Sequence, residues 1–130
     1  MNFLTIHGKS RFPGLHVWTP QGQKLLAKIP DGCLLVQAGK QLEYLTGGAI
    51  VAGFHEVVIV PETLQAMTRQ SAKCRPLWRT SSTLFFHLAS DNVLEPIGTF
   101  RSSQALKNYP SQFVGIQVQK ELGFLKLSQN

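Results

Sequence analysis

The chain has 130 residues, 43% of them apolar and 15% charged, and a net charge of +6. That length holds one domain with a buried core, so a single domain over residues 1–130 is expected, and the composition excludes disorder as the default state. No run approaches the roughly 18 apolar residues of a membrane-spanning helix, and the opening Met1-Asn2-Phe3-Leu4-Thr5-Ile6-His7 meets a histidine before a signal-like stretch forms, so the expected location is cytoplasmic.

The first sixty residues read as short strands divided by turns. Gly14 to Trp18 is β-prone, and Thr19-Pro20-Gln21-Gly22 supplies the proline and glycine of a tight connection to a returning strand over Gln23 to Ile29. Pro30-Asp31-Gly32 is a second turn, followed by the apolar run Cys33-Leu34-Leu35-Val36, which fits a strand buried on both faces. Gly39 to Leu45 suits one or two helical turns closed by Gly47-Gly48, since glycine past a helix end adopts the left-handed conformation cheaply. Ala49 to Ala52 and His55 to Val60 are two further expected strands.

Pro61-Glu62-Thr63 opens a helix to about Arg69, with proline where its missing N–H does no harm. Trp78 to Leu88 is a long β-prone stretch, and Pro96-Ile97-Gly98 starts a loop. Near the end, Val114, Val118, Leu122 and Leu125 recur at helical spacing within Phe113 to Leu127. Strand–turn–strand spacing with few helices predicts a mainly β barrel or jelly roll carrying peripheral helices.

The two cysteines, Cys33 and Cys74, are far apart and in no CxxC arrangement, which argues against a thiolate zinc site and a disulfide scaffold. One bridge between them stays open. The thirteen basic residues are scattered, with Arg69, Lys73, Arg75 and Arg79 the densest group. They form no stripe interleaved with aromatic residues, so a solvated basic surface is expected rather than a nucleic-acid interface.

Function enters through an ordered set of motifs. These are Leu4-Thr5-Ile6, Gly14-Leu15-His16-Val17, Pro30-Asp31-Gly32, Val36-Gln37-Ala38-Gly39, Leu45-Thr46-Gly47-Gly48, His55-Glu56-Val57-Val58, and Arg79-Thr80-Ser81 before Phe85-Phe86. In that order and spacing they resemble the C-terminal part of the isopenicillin N synthase-like Fe(II)/2-oxoglutarate-dependent oxygenases: an LTLL strand, a GLQV strand, VNxGD, LxxLTNG, HRVV and RxS. The resemblance implies an N-terminally truncated double-stranded β-helix, Fe(II) and 2-oxoglutarate as cofactors, and a small organic substrate oxidised with O2. It places His55 as the distal iron ligand and Arg79 with Ser81 at the 2-oxoglutarate carboxylate.

Physical chemistry agrees with the second assignment. A guanidinium offers a planar fork matching a carboxylate, and a hydroxyl two residues further along a strand faces the same side. Without the resemblance, Arg79 reads as a surface charge and His55 as a hydrogen-bonded structural histidine. His87 reads as structural.

The family's His-x-Asp pair precedes its LTLL strand by a few residues and is absent here. His7 stands at the end of the LTLL-like segment and is followed two positions later by Lys9, whose ammonium cannot coordinate iron, so His7 is not assigned to the metal. The expectation is that this chain holds Fe(II) poorly and that an oxygenase is complete only in a longer form. Glu56 also departs from the motif, where arginine is usual. The alternative is a non-catalytic β-barrel binding or interaction module, self-associating through an exposed strand edge.

Overall fold

The structure, a computed structural model, describes residues 1–124. Eight short strands outnumber the helices, in the chain order β1 (Leu4–His7), β2 (Leu15–Trp18), β3 (Lys24–Leu26), β4 (Leu35–Ala38), α1 (Lys40–Leu45), β5 (Phe54–Val57) and α2 (Pro61–Ser71). There follow β6 (Thr83–Phe86), β7 (Val93–Leu94), a 3-10 turn at Gly98–Phe100, α3 (Ser103–Asn108), β8 (Gln112–Phe113) and α4 (Val114–Phe124). They build three small sheets, ordered β4-β1-β6, β3-β2-β5 and β7-β8. The described chain forms two compact units, one from residues 1–5, 37–52 and 85–124, the other from residues 6–36 and 53–84.

In the first unit Leu94 and Val114 are fully buried. Short α1 gains little from propensity and depends on its ends. Beyond its last turn the backbone is left-handed at Gly47 (φ 56°) and Gly48 (φ 87°), and Gly48 N–H donates to Glu43 O at 2.9 Å. A Cβ on Gly48 would lie 2.7 Å from Tyr109 Oη, so both φ and space require glycine there.

Glu43 is buried and acts as a hub, accepting from Lys40 Nζ (2.5 Å), Ala52 N–H (2.8 Å) and Tyr109 Oη (3.1 Å). Burial opposes ionisation of this carboxyl, but these donors, Lys40 foremost, hold its pKa below the ordinary value of 4.5. Gln41 is equally anchored: its Nε2 donates to Met1 O at 2.7 Å, while its Oε1 accepts from Leu88 N–H at 3.0 Å. Both side chains satisfy backbone groups that no ladder reaches.

The second unit is organised by the antiparallel sheet β3-β2-β5, with His55 opposite Val17 and Leu25 opposite Val17 on the other side. Because side chains alternate along a strand, one face carries Leu15, Val17, Leu25, His55 and Val57. The opposite face carries His16, Trp18, Lys24, Phe54 and Glu56. There Lys24 Nζ lies 2.5 Å from Glu56 and 5.8 Å from the Trp18 ring centre, a cation held by a carboxylate and a π face. The start of α2 is fixed by Thr63, whose hydroxyl accepts from Val60 N–H at 3.1 Å and donates to Pro13 O at 2.9 Å.

Several elements differ from their sequence expectation. The apolar run Cys33 to Val36 is not a doubly covered strand, since Leu34 is 64% and Val36 56% exposed and the strand begins only at Leu35. Residues 49–52 form no strand: Thr46 Oγ1 and Glu43 instead bind the N–H groups of Ile50 and Ala52. The returning strand is limited to Lys24–Leu26, where the register with β2 ends. The stretch over 78–88 is extended in a ladder only at Thr83–Phe86. Helix α3 was not anticipated, although Ser102 caps it by accepting from Ala105 N–H at 3.1 Å. Leu125 and Leu127 of the expected terminal helix lie outside the described residues. Cys33 and Cys74 are free and exposed.

Candidate functional site

His55 stands in the middle of β5, so the β2 ladder on Leu15–Trp18 fixes where its imidazole leaves the backbone. It is exposed on a face whose other residues, Val17, Leu25 and Val57, are apolar, with Leu25 and Val57 about half exposed. Beside it is His7, buried, with ring centres 4.9 Å apart and planes at 75°. Partial desolvation, and then the electrostatic effect of the neighbouring His7 ring, lower the pKa of His55 from its ordinary 6.5.

Arg79 and Ser81 belong to the exposed segment between α2 and β6. They precede the ladder, so strand alternation does not set their common direction. A different device fastens the segment. Arg11 donates from Nη2 to Pro76 O at 2.9 Å and Trp78 O at 2.7 Å, and from Nε to Trp78 O at 3.2 Å. Further along, Gly8 N–H donates to Ser82 O at 2.8 Å, and a Cβ on Gly8 would lie 3.3 Å from Ser82 Cβ. The stretch carrying Arg79 and Ser81 is thus tied at both ends to residues 8–11. Sequence reasoning missed this role for Arg11, because a guanidinium bound to two carbonyls leaves no local pattern.

Glu56 points away from His55, on the opposite face of β5, and its carboxyl pKa is lowered by the Lys24 hydrogen bond. It cannot serve as the carboxylate of an iron site built on His55. A 2-His-1-carboxylate centre needs three protein donors, and among the described residues no group of three or more His, Cys, Asp or Glu side chains is placed to hold a metal. The residues present therefore do not fit a complete iron centre.

Comparison with known proteins gives the class. No protein-family model and no curated protein sequence matches the chain. Solved structures do. A protein assigned to the 2OG-Fe(II) oxygenase family from Caulobacter crescentus matches at TM-score 0.75 and 26% identity, over 96% of this chain and 38% of that one. A full-length Neurospora crassa protein crystallised with alpha-KG and thymine matches at TM-score 0.73 and 21% identity, over 95% and 35%. The rice dioxygenase for auxin oxidation matches at TM-score 0.72 and 18% identity, over 95% and 38%.

The chain therefore has the fold of the 2OG-Fe(II) oxygenase superfamily. It spans 38% of the length of the Caulobacter protein. No described helix is long and apolar enough to cross a membrane.

Proposed function

We propose that the chain is the C-terminal portion of an isopenicillin N synthase-like double-stranded β-helix, one domain in that architecture, serving an Fe(II)/2-oxoglutarate-dependent oxidation of a small organic substrate. The observation that carries the reading is the match to the Caulobacter protein over nearly the whole chain. The Neurospora protein's complex with alpha-KG and thymine supports the same classes of cosubstrate and substrate. In this reading His55 offers one imidazole on the open face, and Arg79 with Ser81 grips a 2-oxoglutarate carboxylate. The clamp from Arg11 and Gly8 supports that role, because a guanidinium recognises a carboxylate best from a fixed backbone. Iron and 2-oxoglutarate, where bound, supply the oxidising chemistry with O2. A complete iron centre would need donors beyond those that the described residues bring together.

The test is titration of the metal-free chain with 2-oxoglutarate, read by NMR shifts of residues 76–82. Saturable shifts, weakened at least about tenfold in Arg79→Ala as expected for a charged hydrogen-bond partner, support the reading. Shifts that Arg79→Ala and Ser81→Ala leave unchanged would sink the cosubstrate assignment.

A second reading is favoured by a specific feature. Phe54 (74%), Ile59 (74%) and Trp78 (80%) are all strongly exposed, and β3 and β5 are the outer strands of their sheet. Unpaired strand edges beside apolar side chains invite pairing with another chain. On this reading the chain is a non-catalytic binding module that self-associates.

A further inference from the structure

Among the described residues no three-donor iron set is assembled, yet two imidazoles stand together. We propose that His7 and His55 chelate a single late first-row divalent ion, of the Co2+, Ni2+ or Zn2+ type, as a two-histidine site with a ligand set different from that of the family's iron centre.

The first support is distance. An ion bonded to one nitrogen of each ring at about 2.1 Å, with an angle between octahedral and tetrahedral, separates the ring centres by about 4.5–5.2 Å. The observed separation is 4.9 Å. Interplanar angle is not restricted by such coordination, because each ring can turn about its own metal–nitrogen bond.

The second support is how the pair is held. His55 is fixed by its ladder with β2, and His7 is the last residue of β1, immediately before Gly8, whose N–H is bound to Ser82 O. Neither imidazole depends on a mobile stem. His7 is buried while His55 is exposed, so an incoming ion has solvent access, and water can fill the coordination positions that the protein leaves.

Donor chemistry decides the ion class. Two imidazole nitrogen donors, with no carboxylate grouped beside them among the described residues, give Mg2+ and Ca2+ nothing they prefer, since those ions select oxygen. Affinity of nitrogen sites rises from Fe2+ through Co2+ and Ni2+, so the pair favours the later ions over iron. An edge-to-face ring contact of the kind two aromatic groups adopt would show the same separation without any metal, and the experiment separates the two cases.

The metal-free chain is titrated with Co2+, Ni2+ and Zn2+ by calorimetry, with the Co2+ d–d spectrum and the imidazole 15N shifts as further readouts. One equivalent is expected to bind, Ni2+ more tightly than Co2+, with the ring nitrogens of both His7 and His55 shifting together. His7→Ala and His55→Ala should each weaken binding at least about tenfold, the loss that disturbing even outer-shell partners brings. His87→Ala, at an exposed position in the other unit, should leave it unchanged. Absence of saturable one-to-one binding overturns the proposal, as does a shift of only one of the two rings. The ring-shift readout uses the unaltered chain, so it decides even where His7→Ala fails to fold. The outcome is independent of the cosubstrate reading, which is measured without metal on Arg79 and Ser81.

Discussion

At the scale of single residues, the environment of His55 makes a pH prediction. Its pKa is lowered in the folded chain, by partial desolvation first and by His7 second. The unfolded chain therefore takes up the proton more readily, and stability falls as pH drops below the ordinary value of 6.5 towards the lowered folded value. Above 6.5 the group contributes no pH dependence. Urea unfolding at pH 7.5 and 5.5 should show a loss on acidification that is smaller in His55→Asn. An equal loss in both would place the effect elsewhere. The residue type and the strand were legible in the sequence, through the motif around His55-Glu56-Val57-Val58. Its neighbour was not, because His7 lies far away in sequence and meets His55 only through the folding of β1 and β5.

Among elements, the ends and anchors of short segments matter more than their propensities. Helix α1 has six residues and owes its place to Glu43, which ties Lys40, Ala52 and Tyr109 together. Glu43→Gln should lower unfolding free energy by about 1–3 kcal/mol at pH 7, since it removes the charge and one of the two acceptor oxygens that serve these part-buried donors. The lowered pKa makes this contribution complete above pH 4.5 and lost as pH falls through the folded value. The difference between the wild type and Glu43→Gln in chemical denaturation should therefore shrink in acid.

The Arg11 clamp makes a second prediction at this scale. Arg11→Ala should raise hydrogen-exchange rates at residues 76–82 and, on the proposed cosubstrate reading, weaken 2-oxoglutarate binding without removing Arg79. Unchanged exchange would show that Gly8 and the start of β6 suffice to hold the segment. Helix α2 and the Gly47-Gly48 stop were readable from sequence because proline and glycine act on their own backbone angles. The strand expected over residues 78–88 was not readable at its true length, because ladder partners, not β propensity, decide where a strand begins.

For the molecule as a whole, the amount of apolar surface left in solvent is the main physical feature. Such surface on a sheet with two outer strands predicts a concentration-dependent assembly. Sedimentation equilibrium should show association rising with protein concentration, and Phe54→Lys should shift the population towards monomer. A chain that stays monomeric at every concentration, with Phe54→Lys indistinguishable from it, would remove the interaction-module reading.

What the sequence alone determined is the set of local and order-dependent features. These were the turn residues, the starts of α1 and α2, and the motif order that matches the oxygenase fold. Each of these is written in neighbouring residues, and neighbouring residues govern backbone angles and side-chain spacing. Only the tertiary structure decided that His7 joins His55, that Glu56 faces away from it, and that Arg11 secures the segment of Arg79 and Ser81. Those relations arise from strand pairing and long-range hydrogen bonds, whose partners are distant in the chain, so no local pattern records them.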